Sequence, residues 1–442
     1  MAKQLRDDLP QLIDAGIITP EIAQRIDGWY AQQTKPQTNW LAITLGVFAT
    51  FLVSLGIILV IAHNWDELPK TAKIIIAFLP LVIGQLLCIY ILLKKRENRL
   101  LSECAAIFLY FAIPACVALI SQIYHIGGST ESFLLTWILL GFALIYIMRS
   151  SVVSLLHIAI ITWYGILADY SSFGSGSTTY SHLYILLLLI PIPHYYLLWK
   201  KKGNAVMFHM HNWAITISVV IMLGSFASED FPFYQWIMQA YLSLFCILYI
   251  IGKVSRLADK PIMANPFLLI GTMGIFTIFA IVSFEDPWHF DSYVDGSTKV
   301  AGFFSWYSSW VIVALLLINL CLFFLPSARK IRIDFNPLPF SAFLLAILLV
   351  LGVTPPIGQF VANVWILLLG LYYVRRGANE DHLGILNLGL VVLVALALLR
   401  FFDDSIPFIW RGLFFLATGG LLFFTNYWML RRRKKLTKNV QS

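Results

Sequence analysis

Apolar residues along this chain gather in long unbroken runs, with neither the alternation of a half-buried strand nor the three-and-four spacing of a surface helix. Each run is close to the roughly 20 residues that a helix needs to cross a ~30 Å hydrocarbon core, and about 14 of them can be marked out between charged or turn residues. They fall near 41–62, 72–93, 104–123, 132–148, 151–168, 182–199, 208–227, 233–251, 266–284, 308–325, 338–354, 357–374, 383–400 and 407–429. The predicted fold class is all-α, a polytopic integral membrane helical bundle of about 14 transmembrane helices. The division is an N-terminal helical hairpin at 1–40, a transmembrane domain at 41–430 and a basic tail at 431–442. Within 338–374 the apolar tract is broken by Thr354-Pro355-Pro356-Ile357-Gly358, so that either two short spans or a re-entrant pair fits.

The polar residues test this map. Lys and Arg near span ends stay on the cytoplasmic side, and here they fall on alternate loops. Lys94, Lys95, Arg96 and Arg99 follow the second span, Arg149 the fourth, and Lys200 to Lys202 the sixth. The same face gathers Lys253, Arg256, Lys260, Arg329, Lys330, Arg332, Arg375, Arg376 and the tail from Arg431. Only Lys70, Lys73, Lys299, Arg400 and Arg411 are left opposite, so both termini are predicted to be cytoplasmic. The opposite face carries acids and flexible polar stretches, among them Ser171 to Thr179 and Glu285 to Lys299. No loop exceeds about 25 residues, which leaves no room for a soluble catalytic domain.

Composition agrees. The chain has 442 residues, 59% apolar and only 12% charged, against about a quarter charged in soluble domains. A soluble enzyme is excluded. The net charge of +8 is explained by the sorted loops, so no nucleic acid is expected as a partner; membrane lipids are. Cys88, Cys104, Cys116, Cys246 and Cys321 lie scattered in apolar segments without ligand spacing, so neither a disulfide frame nor a metal site is expected. No cofactor and no cleavable leader is expected either.

Residues 8–33 predict two short helices. Asp8 and Pro10 open the first, Gly16 supplies a left-handed residue at its end, and Thr19-Pro20-Glu21 caps and opens the second. Leu9, Leu12, Ile13, Ile22, Ile26, Trp29 and Tyr30 share one apolar face. So small a hairpin buries too little to stand alone; the membrane domain, a second copy of the chain or a protein partner is expected against it, the alternative being a stub lying on the surface.

The string from Leu12 through Gly16 and Thr19-Pro20-Glu21 to Trp29-Tyr30 resembles the opening of a bacterial family of predicted membrane proteins, domain of unknown function 2157. Leu119-Ile120-Ser121-Gln122-Ile123-Tyr124-His125-Ile126-Gly127 and Arg411-Gly412 through Gly419-Gly420 agree with it. The family pattern covers roughly the first third, and the later segments are like membrane segments often fused to it. The resemblance implies a bacterial inner-membrane location and no activity.

Three places could carry chemistry. Pro114 removes a backbone hydrogen bond in the third span and frees the carbonyl of Tyr110, while Gln122 and His125 share a face beside Tyr124 at its outer end, with Gly127-Gly128 ending the helix. Either a ligand or proton site or plain interhelical hydrogen bonding fits them. Arg400, Asp403, Asp404 and Arg411 surround an outer hairpin, where the guanidiniums can grip an anion or simply pair with the aspartates. Asp66 and Glu67 follow the first span, placed like the external acids of glycosyltransferases that use lipid-linked sugars, or as solvated helix ends. His157, His209, His211, Asn363 and Asn387 lack ligand spacing and read as packing or interfacial residues.

Three function classes remain: a transporter or flippase for a small anionic or lipid-linked substrate, a membrane-embedded transferase or ligase using the external acids, and a non-catalytic scaffold working through the hairpin. The layout of many spans with tiny loops favours the first, by analogy of architecture alone.

Overall fold

The computed structural model describes residues 12–33, 65–95, 97–170, 183–200, 205–226, 235–288, 307–325 and 336–401, apart from positions 14, 66, 256 and 259. Residue 328 and a scatter of positions from 409 to 423 complete it. Among the described residues every regular element is helical. In chain order these are α1 Pro20–Gln33, α2 Lys70–Lys94, α3 Arg99–Tyr124, α4 Thr130–Ile147, α5 Ser151–Gly165, α6 Leu183–Leu188 and α7 Ile192–Lys200. Then follow α8 Ala205–Leu223, α9 Gln235–Val254, α10 Pro266–Val282, α11 Tyr307–Phe324, α12 Ser341–Val350, α13 Pro355–Asn379 and α14 Leu383–Phe401.

The twelve apolar runs from 72–93 to 383–400 all fall on helices. Among the described residues nine segments are long and apolar enough to cross a membrane, and three shorter apolar helices accompany them. The first run, 41–62, lies outside the described residues, and the last, 407–429, is described only at scattered positions. Leu86, Leu93, Phe108, Leu139 and Phe360 are exposed on the helix surfaces, an apolar surface that suits lipid and in water would aggregate.

The chain divides into two units, Met1–Ile76 and Ala77–Ser442. In the first, Gly16 takes the left-handed conformation (φ +68°) expected of it, which a side chain would strain. Thr19 Oγ1 accepts the backbone N–H of Ile22 at 3.4 Å ahead of Pro20, the first residue of α1. Asp8 and Pro10 lie outside the described residues.

The second unit has two apolar cores. One joins α2 to α6 around Tyr110, Leu134, Ile138 and Ile161; the other joins α9, α10, α12, α13 and α14 around Tyr249, Phe279, Trp288 and Leu369. Helix α8 belongs to both: Met222 sits in the first and its neighbour Leu223 in the second. Glycines let backbones meet in the second core. A Cβ on Gly389 of α14 would stand 2.5 Å from the Val374 nitrogen and 2.8 Å from the Gly370 oxygen of α13, and one on Gly271 of α10 would stand 2.6 Å from the Tyr249 nitrogen of α9. Without a hydrophobic drive between helices in lipid, such close contact carries the association.

Three runs depart from simple rods. The run 182–199 is split by a turn into α6 and α7, because Pro191 has no N–H to continue the ladder and instead precedes α7, accepting from Tyr195 N at 3.0 Å. Helix α5 ends in a π turn, Ile166–Tyr170. In the tract 338–374, a 3₁₀ turn Leu338–Phe340 leads into α12, Gly352 turns the chain at φ +57°, and Pro355 opens the 25-residue α13. At 1.5 Å per residue α13 spans about 37 Å, whereas the short arm covers only about 20 Å, so the tract is a short arm and a full-length helix.

Candidate functional site

Helix α5 buries four polar side chains, Ser151, Ser154, His157 and Thr162, with the buried apolar Ile158 and Ile161 between the last two. Its N-terminus is built first. Ser150 caps the helix by accepting Val153 N at 3.1 Å, and its hydroxyl donates to Glu103 of α3. The Glu103 carboxylate also accepts Ser151 N at 2.9 Å and Val152 N at 3.2 Å. A neighbouring helix thus satisfies amides that α5 cannot satisfy itself and sets a negative group at its positive end.

From there the polar side chains meet α7 and α8. His194 Nε2 lies 3.3 Å from Ser151 Oγ, and the His194 and His211 rings are 5.9 Å apart. His211 Nδ1 is 2.7 Å from the Met207 carbonyl, which can only accept, so this nitrogen carries the proton and Nε2 accepts from Ser154 Oγ at 3.0 Å. His157 Nδ1 lies 3.2 Å from the Tyr110 hydroxyl. Towards the other end Ser218 Oγ is 2.7 Å from Thr162 Oγ1 and 2.6 Å from the Tyr184 hydroxyl. Tyr195 donates to Asn212 Oδ1 at 2.7 Å. His157 and His211 are 0% exposed. His157 Nε2 and Asn212 Nδ2 are buried without a hydrogen-bond partner among the described residues, as in places where water or a polar solute belongs. Among the described residues no three His, Cys, Asp or Glu side chains are grouped to hold a metal ion.

A cavity of about 550 Å³ opens at the start of this seam. The α2–α3 turn contributes Glu97 and Arg99, the α4–α5 turn Met148 and Arg149, and α7 His194 and Leu198. Two turns that the charge pattern assigned to one face, α2–α3 and α4–α5, therefore meet here, together with the side of α7. His194 belongs to both cavity and seam, so the polar path begins at the cavity wall.

The residues singled out in the sequence lie elsewhere. Gln122 and Tyr124 are exposed near the end of α3, and His125 caps it in the left-handed conformation (φ 50°). The helix therefore ends on His125, ahead of the Gly127-Gly128 pair expected to end it. The groove beside them, about 670 Å³, is lined by Ser121 and Ile126. Arg400 is buried, its Nη2 donating to Ser283 Oγ at 3.0 Å and its guanidinium stacked 4.5 Å over the Phe284 ring, at the C-terminal end of α10. Glu67 is exposed; Asp66, Asp403, Asp404 and Arg411 lie outside the described residues. His211, read as an isolated packing residue, belongs to the seam, whereas His157 pairs with Tyr110 of α3, as a packing residue does. The signal that finds His211 is the pair Ser154 and Thr162 on α5 facing His211 and Ser218, spaced i and i+7, on α8.

Residues 10–154 match the family described as predicted membrane protein (DUF2157). That match spans α1 to the start of α5, including Glu103, Arg149 and Ser151, but not His194 or His211. No curated protein and no solved structure matches the chain.

Proposed function

We propose that this protein is a carrier in the bacterial inner membrane, with both termini in the cytoplasm, moving a small anionic or lipid-linked substrate along the polar seam of α5, α7 and α8. The observation behind this reading is the set of buried polar side chains Ser151, Ser154 and Thr162 beginning at an arginine-lined cavity. Polar groups at membrane depth are expensive, and groups of them mark pathways. Native mass spectrometry of the purified protein tests it. Wild type should retain a phosphate- or carboxylate-bearing molecule that a His211→Leu, Ser154→Val double variant loses while remaining folded. Equal retention by both proteins, or none by either, would remove the reading.

A second reading has its own observation: in the N-terminal unit Ile17 and Ile22 are 68% and 46% exposed, an apolar surface suited to a second copy of the chain or a protein partner. Deleting residues 1–33 should then abolish co-purification of that partner, or the oligomer, and leave the inserted helices intact.

A further inference from the structure

The cavity at the head of the seam has two kinds of lining residue: apolar Ile91, Ile145 and Leu197, and polar Arg99, Arg149, Ser102 and His194. Glu97 is the one acid in the lining against Arg99 and Arg149, and Lys94 ends α2 with Lys95 following it. The Glu103 carboxylate nearby is taken up by the Ser150 hydroxyl and the Ser151 and Val152 amides. We propose that this cavity holds the phosphate headgroup of a membrane lipid, gripped by the Arg99 and Arg149 guanidiniums, with the apolar residues taking the first carbons of its chains.

Arg149 carries the argument. Its backbone is left-handed at φ 51°, a conformation that disfavours any residue with a Cβ by about 1–2 kcal/mol. The turn is nevertheless braced from both sides. Ser102 Oγ donates to the Met148 carbonyl at 3.1 Å just before it, and Glu103 holds the Ser150 hydroxyl and the Ser151 amide just after it. A cation needed only as a solvated topology signal could sit on any relaxed loop. Here the backbone that carries it is held at both neighbours, so its Cα is placed before a ligand arrives, which lowers part of the ordering cost of binding. Arginine matches a phosphate with paired parallel hydrogen bonds, and basic pockets between membrane helices are headgroup sites. A free anion would have no use for the apolar residues; a lipid fits both kinds.

This deepens the transport reading, from which the site takes its purpose, but binding can be measured without transport. The full chain in detergent is mixed with equal amounts of phosphatidylglycerol and of dioleoylglycerol, which has the tails and no phosphate, and bound lipid is counted by native mass spectrometry. Wild type should retain phosphatidylglycerol about 10-fold over the phosphate-free lipid, and Arg99→Gln with Arg149→Gln should abolish the preference. Arg149→Gly is the informative single change. Glycine relaxes the left-handed turn, so the melting temperature in detergent should hold or rise while phosphatidylglycerol retention falls. Equal retention of the two lipids, or undiminished retention by Arg149→Gly, overturns the proposal. Stabilisation by inorganic phosphate equal to that by phosphatidylglycerol overturns the lipid assignment in favour of a soluble anion. A His211→Leu, Ser154→Val protein that keeps its phosphatidylglycerol while wild type shows no seam-dependent ligand would end the transport reading and leave this one standing.

Discussion

Glu103 shows how much a single side chain settles here, since its two oxygens serve the cap and the first two amides of α5. Glu103→Ala should lower stability by about 2 kcal/mol, because buried N–H groups lose their acceptors, and Glu103→Gln by roughly half that, since one carbonyl oxygen remains. Thermal unfolding in detergent, compared with the effect of a surface alanine substitution, measures both. Arg400 is stabilised in another way, by Ser283 and the face of Phe284. Arg400→Met keeps the length of the side chain and loses the hydrogen bond and the cation–π contact, which should cost about 1–3 kcal/mol in the same measurement. His125→Gly should raise stability by about 0.5–1 kcal/mol, since only the left-handed backbone at that cap disfavours histidine. Local chemistry of this kind was partly legible. The Tyr110 carbonyl freed by Pro114 does take a new donor, the Trp137 indole N–H at 3.0 Å, and Gly16 and Thr19 act at the turn as their residue types require. The partners of Arg400 were not legible, because Ser283 lies 117 positions away and no sequence spacing reports such a contact.

Among the helices, the association of α13 with α14 depends on absent side chains more than on present ones. Gly389→Leu would drive a side chain into the α13 backbone at Val374 and Gly370, and should destabilise the protein by several kcal/mol or prevent its accumulation. Gly412→Leu, where a Cβ meets no atom of the described residues within 4 Å, is the matched control and should be silent. Apolar runs identified the elements well, since run length reflects bilayer thickness, a constraint written directly into the sequence. They could not show the interior of a run. Pro191 is visible, yet residue type alone does not tell that it stands at a break between α6 and α7 while Pro80 and Pro114 lie inside the continuous helices α2 and α3. The polar side chains of α5 are not legible for a related reason: Ser151 and Ser154 are unremarkable inside an apolar run, and their meaning lies in contacts with α7 and α8.

For the molecule as a whole, alternate-loop charge gives a testable orientation. A protease added to the outside of intact cells should leave the tail from Arg431 to Lys435 uncut, and the same protease added to inverted vesicles should remove it. Two of the basic turns, α2–α3 and α4–α5, line one cavity together with α7; that His194 of this lining also contacts the buried Ser151 was beyond a reading of loop charges. The candidate chemistry was expected at the outer helix ends because charges are conspicuous there, whereas the buried polar groups of α5 and α8 are uncharged side chains inside apolar runs, which run length and loop charge do not single out.

Helix α8 has a consequence for motion. Because consecutive residues Met222 and Leu223 are clamped by different cores, the two halves cannot rock against each other without twisting or sliding this rod, which makes it the axle of any such change. His211 and Ser218 ride on that axle, so a turn of one helix would break their contacts with α5 on both levels at once. Spin labels on α4 and α13 should then report a distance change that a disulfide tying α8 to α5 abolishes.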